Sequence, residues 1–133
     1  MRLLLDTHVW LWSVLEPERL PRPLAGDLED RANELWLSAI SAWETMLLAE
    51  RGRIELDDDP GPWIERTLRQ TPLRDAPITR EIAARSRSLD LPNSDPADRF
   101  IAATAAVQRF VLVTADARLQ RSGQYEVLAI ELG

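Results

Sequence analysis

Apolar residues fall in two rhythms along this chain. Short, nearly unbroken runs at Arg2–Leu5, Glu34–Ser38 and Phe110–Thr114 read as buried strands, the last being the cleanest. A final strand is expected at Glu126–Ile130. A weaker one at Leu73–Ile78 contains Pro77 and so should be short or lie at a sheet edge. Between these runs apolar residues recur at helical spacing. Val9, Trp10, Leu11, Val14 and Leu15 follow the first strand, and Leu24, Leu28 and Ala32 follow the prolines at 17, 21 and 23. Further helices are expected from about Ser41 to Glu50 with Gly52 as C-cap, from about Pro62 to Gln70, and from a Thr79 cap to about Ser88. The sharpest helix start is Asp95-Pro96-Ala97-Asp98: an Asp at N-cap, Pro at N1 and an acid at N3. That helix is almost wholly apolar from Phe100 to Val107 and should be central.

Strands alternating with helices predict an α/β fold with a mainly parallel sheet. There is no internal repeat, low-complexity segment or long linker, and 133 residues suit one domain spanning positions 1–133. Hydrophobic residues at 45% and charged residues at 29% give a globular balance, and such a chain can bury a core without staples. No cysteine is present, which removes disulfides, thiol nucleophiles and Cys-ligated metals. His8 is the single histidine. All 16 basic residues are arginine, so P-loop and Schiff-base lysine chemistry is excluded. A net charge of −6 lends no support to broad nucleic-acid binding. Leu3-Leu4-Leu5 is broken at once by Asp6, and Phe100–Val107 falls far short of the roughly 18 residues of a membrane span. A cytoplasmic protein without a membrane partner is the expectation.

Parallel sheets put their sites beyond the carboxyl ends of the strands. Asp6 ends the first strand, Asp116 lies two residues past FVLVT, Glu44 sits in the first turns of the helix after ELWLS, and Asp98 lies in the first turn of the central helix. Four carboxylates from distant positions thus converge on one sheet edge. Gathered like charges raise one another's pKa unless something cationic sits among them. A hard divalent ion, Mg²⁺ or Mn²⁺, is the economical partner. Such an ion activates water and stabilises charge on phosphate oxygens, and it reverses the local sign so that RNA can approach.

Four segments carry a family resemblance: LLLDTHVWLW (3–12), SAISAWE (38–44), DPADRFIAATA (95–105) and VTAD (113–116). Their order and spacing resemble the PIN-domain ribonucleases, specifically the VapC toxins of bacterial type II toxin–antitoxin pairs. The resemblance covers nearly the whole chain. It implies a PIN-like three-layer α/β/α sandwich and a metal-dependent endoribonuclease, with the family's acids falling on Asp6, Glu44, Asp98 and Asp116 and with Asp95 as a further acid in the pocket. It also implies a homodimer and a VapB-type antitoxin that inserts a peptide near the acids. Where the family often carries a His shortly before DPxDR, this chain has Asn93-Ser94.

Each residue also has a plainer reading. Asp6, Asp95 and Asp116 could cap the helices that follow them, and capping is the main role expected of Asp95. Glu44 could close a capping box with Ser41. Asp98 gains from the helix dipole. Thr7 and Thr114 neighbour proposed ligands and are candidates to hold them by hydrogen bonds. Arg99 would pair with an acid, contact phosphate, or simply be solvated. His8 reads as a helix-start residue near the pocket. Trp10, Trp36 and Trp43 are expected in the core or a dimer interface, and Asp57-Asp58-Asp59 in a solvated loop. Two other functions compete: an aspartyl-phosphate enzyme, which would need a lysine, and a catalytically inactive PIN-like module acting through protein or RNA partners.

Overall fold

The computed structural model of the chain describes residues 1–130, so the last three residues of the expected domain lie outside the described residues. Five strands form one sheet: β1 (Arg2–Leu5), β2 (Glu34–Ser38), β3 (Leu73–Ala76), β4 (Val111–Thr114) and β5 (Glu126–Ala129). Their order is β3-β2-β1-β4-β5 and every pairing is parallel. β3, which stops at Ala76 just before Pro77, is short and is one of the two edge strands.

Alternation along the strands explains the layering. Leu3 and Leu5 of β1 point into one cluster with Leu35, Leu37 and Val113, while Leu4 and Leu112 point into the other. The first cluster is covered by α1 (Thr7–Leu15), α2 (Arg22–Glu29) and α4 (Pro60–Arg69) through Val9, Trp10, Leu24, Trp63 and Ile64. The second is covered by α5 (Arg80–Ser88) and α6 (Pro96–Gln108) through Ile82, Ile101, Ala102 and Ala105, and by Leu119 of the short α7 (Ala117–Gln120). The architecture is therefore the three-layer α/β/α sandwich that the resemblance implies. α3 (Ala39–Glu50) bridges the layers, with Ala42 and Leu48 packed on the first cluster and Ile40 on the second. In α6 the fully buried Ala97, Ala102, Ala103 and Ala105 let its backbone come close to its neighbours.

Several boundaries differ from the sequence reading. α3 begins at Ala39, not Ser41, because Ser38 caps it: its hydroxyl accepts from the Ile40 N–H at 3.1 Å. α4 begins at Pro60, and a short 3-10 turn at Pro17–Arg19 occupies the proline-rich loop. Trp10 is fully buried, but Trp43 is 48% exposed and stands on α3 near Met46, so it is not a core residue. Asp57 and Asp58 are tied to Arg66 in an exposed loop. Among the described residues no helix is long and apolar enough to cross a membrane.

α6 ends with Arg109 in the left-handed region at φ 58°, a conformation that disfavours a side chain bearing Cβ. Arg109→Gly is expected to stabilise the fold by about 0.5 kcal/mol, net of the entropy glycine adds to the unfolded chain. Chemical denaturation of the two proteins reads this directly.

Candidate active site

The strand order reverses between β1 and β4. β1, β2 and β3 run outward in one direction, and the chain then crosses back to add β4 and β5 on the other side of β1. At such a switch the loops leaving the two central strands part to opposite faces and open a crevice. Asp6 follows β1 and Asp116 follows β4, so these two acids flank the switch point. α6 brings its N-terminus with Asp95 and Asp98 to the same place, and α3 contributes Glu44. Asp6, Glu44, Asp95, Asp98 and Asp116 line one cleft of about 400 Å³ together with His8, Trp12 and Arg118. A larger groove of about 590 Å³ adjoins it, sharing His8 and Trp12 and carrying Arg19 and Arg53.

Asp6 is only 6% exposed. It occupies the N-cap position of α1, yet its carboxylate makes no cap hydrogen bond. Its Oδ2 accepts instead from the buried Thr114 hydroxyl at 2.7 Å. Burial pushes the Asp6 carboxyl up to about 6. The Thr114 bond opposes the rise, and the nearby Asp98 and Glu44 charges reinforce it. Burial also raises Glu44; a hydrogen bond from Thr7 and the charge of His8 oppose the rise, and Asp95 and Asp98 add to it. Asp98, at the third position of α6, is raised by burial and by Asp95 and Asp116, against a hydrogen bond from Asn93. Asp116 behaves otherwise. Burial would raise it, but Arg118 outweighs that through side-chain and backbone bonds, and Asp116 is held below the ordinary carboxylate range. Its Oδ1 also caps α7 by accepting from the Arg118 and Leu119 N–H groups.

Four expectations are corrected here. Ser41 and Glu44 form no capping box: Ser38 is the cap, Ser41 is buried inside the helix, and Glu44 is released to face the cleft. Thr7 does not hold Asp6: its hydroxyl pairs with that of Ser41 at 2.8 Å, and the carboxylate whose pKa it lowers by a hydrogen bond is that of Glu44. Arg99 neither pairs with an acid nor lies in solvent. Its guanidinium donates to four backbone carbonyls, those of Ser86 (2.7 Å), Leu89 (2.7 Å), Leu91 (3.2 Å) and Asn93 (2.8 Å). Asp95 is the N-cap residue of α6 by position, but its side chain makes no capping bond, so the expected capping role is not filled.

Two residues that touch the cleft acids escaped the sequence reading. Asn93 was visible only as a departure from a family histidine. Its side-chain amide donates to both Asp98 Oδ2 (3.0 Å) and Asp116 Oδ2 (3.3 Å). Arg118 carried no signal at all, since nothing local distinguishes it from the other surface arginines.

Hard oxygen donors, gathered where burial and mutual repulsion penalise their charge, fit a divalent cation of the Mg²⁺ or Mn²⁺ type. As they stand, no group of three or more His, Cys, Asp or Glu side chains among the described residues is set to hold an ion. Each of three acids is instead hydrogen-bonded within the protein: Asp6 to Thr114, Asp98 to Asn93, and Asp116 to Asn93 and Arg118.

Comparison with known proteins gives a consistent picture. The PIN domain family model matches residues 3–124. Ribonuclease VapC22 of Mycobacterium tuberculosis is 40% identical over 121 residues, 89% of each chain. Among solved structures, VapBC2 from Rickettsia felis bound to a DNA fragment from its promoter aligns with a TM-score of 0.74 at 15% identity, covering 98% of this chain and 100% of that one. FitAcB from Neisseria gonorrhoeae aligns at 0.63 with 24% identity, covering 95% and 96%. These two likenesses concern the fold.

Proposed function

Since the chain belongs to the PIN-domain family and, within it, to the VapC ribonucleases, we propose that it is the toxin of a toxin–antitoxin pair, an endoribonuclease that uses Mg²⁺ or Mn²⁺. Asp6, Glu44 and Asp98 hold the cation, with Asp116 completing the set and Asp95 at the rim. What supports this reading is the five-acid cleft at the β1/β4 switch, where burial, reinforced by the neighbouring acids, holds three carboxyls above their ordinary pKa.

A bound divalent ion supplies positive charge to phosphate oxygens and acidifies water for attack on the phosphodiester. The chain's own residues do the rest. Thr114 fixes the Asp6 carboxylate, and with it the direction in which that charge is presented. Arg118, exposed at the rim, offers a guanidinium to the substrate's phosphates. The adjoining groove carries Arg19 and Arg53 beside Glu16 and Glu55, with Arg19 paired to Glu16, so Arg53 is the guanidinium it offers to a strand leaving the cleft. No side-chain nucleophile is required, which suits a chain without Cys or Lys.

The partners proposed are an RNA substrate, a VapB-type antitoxin that restrains the toxin, and a second copy of the chain. Exposed Trp43 and Met46, three residues apart on α3, support pairing through that face. The site of action proposed is the cytoplasm.

The decisive experiment is sequencing of RNA ends after induced expression. New ends at defined positions are expected for the wild type. They should be missing for Asp98→Asn, and in vitro they should vanish with EDTA. Intact RNA with a folded wild-type protein would favour the inactive binding module instead.

A further inference from the structure

We propose that Asn93 is a positioning residue whose side-chain amide holds Asp98 and Asp116 in register for a divalent cation, and that Arg99 holds Asn93 in place. This rests on the metal reading above. Asn93 is 1% exposed, in a loop that is otherwise largely at the surface. One amide nitrogen bridges two carboxylates from opposite sides of the cleft, one on α6 and one after β4. The amide has only one workable orientation, because its oxygen turned the same way would meet two carboxylate oxygens. That orientation leaves Asn93 Oδ1 buried without any hydrogen-bond partner. An unpaired buried acceptor is costly, and its presence is explained when the nitrogen has a task.

The loop is held from below by Arg99. Where α5 ends at Ser88, Arg99 takes the carbonyl of Ser86 and that of Leu89 just beyond the helix, while also binding the carbonyls of Leu91 and Asn93. Arg99 and Asp98 are neighbours on α6, so one helix turn carries both an acid and the clamp that fixes the acid's partner. The amide does not change charge with pH, so it restrains the two carboxylates whether or not they are ionised. It brings them together without neutralising either, and leaves their charge for the cation.

The test is the Mn²⁺ affinity of the full chain, measured by calorimetry, for the wild type, Asn93→Leu and Arg99→Lys, together with the melting temperatures of the metal-free proteins. Leu fills a similar volume without a donor. Asn93→Leu should weaken Mn²⁺ binding about 10–100-fold, the range seen for groups that orient metal ligands, and raised Mn²⁺ should restore cleavage. Arg99→Lys should weaken it in the same direction but less, since one ammonium cannot serve four carbonyls. A merely structural role would lower the melting temperature and leave the affinity alone. Wild-type affinity in Asn93→Leu overturns the proposal. If that variant does not fold, wild-type affinity in Arg99→Lys overturns it. A wild type that binds no Mn²⁺ overturns the metal reading itself and this proposal with it.

Discussion

Asp6→Asn is expected to make the metal-free protein more stable at pH 7 while abolishing RNA cleavage. The Asp6 carboxyl sits at about 6 in the folded protein against an ordinary value of 3.8. A raised carboxyl pKa means that the folded state binds the proton more tightly than the unfolded state does. Between about pH 4 and pH 6 the folded state carries the extra proton, so stability falls as pH rises through that window and stays low above it. At about 1.4 kcal/mol per pH unit, the full penalty is roughly 3 kcal/mol. Asn keeps an oxygen to accept from Thr114 and removes the charge. Melting temperature at pH 7 should rise by several degrees, and the difference between mutant and wild type should close on going down to pH 4. The same substitution takes one charge from the proposed cation site. A loss of several kcal/mol of transition-state stabilisation lowers kcat by 10²–10³ or more, at about 1.4 kcal/mol per tenfold. A mutant that is less stable at pH 7, or one that still cleaves, would refute the assignment of Asp6.

The second large effect is on stability in the presence of the cation. Mg²⁺ or Mn²⁺ at about 100 times its dissociation constant adds about 2.7 kcal/mol to the folded state. For a chain of this length that is on the order of 10 °C in melting temperature. The shift should be full at pH 7.5 and small at pH 5. Asp6, Glu44 and Asp98 all have raised pKa values, so at the lower pH the ion must first displace protons from its ligands. Asp6→Asn and Asp98→Asn should each remove most of the shift at pH 7.5. An equal shift at both pH values, or one that survives both substitutions, would place the ion elsewhere.

Much of this architecture was readable from periodicity. β1 and β2 have the bounds that their apolar runs predict, and Thr79 caps α5 through the Ile82 N–H as its position before the helix suggests. Gly52 stands just past α3 at φ 68°, the left-handed conformation for which glycine is suited. These features depend on neighbours one to four residues away, and local chemistry decides them. The Ser41–Glu44 reading failed for the same reason in reverse. Two residues at capping-box spacing satisfy a local rule, but Ser38 takes the N-cap three residues earlier, where the strand ends.

The sequence alone determined that Asp6 and Asp116 would stand just past strands and Asp98 in the first turn of a helix, because hydrophobic runs of strand and helix length leave these acids at their ends, whereas Glu44 falls at the sixth residue of α3. What each carboxylate meets there was decided only by the tertiary structure. Thr114 reaches Asp6 across 108 positions and Asn93 reaches Asp116 across 23, while Arg99 turns away from the acids to gather carbonyls from the end of α5. Contacts of that kind depend on how layers pack and on the direction each side chain takes when it leaves its backbone, and no spacing along a single chain encodes either.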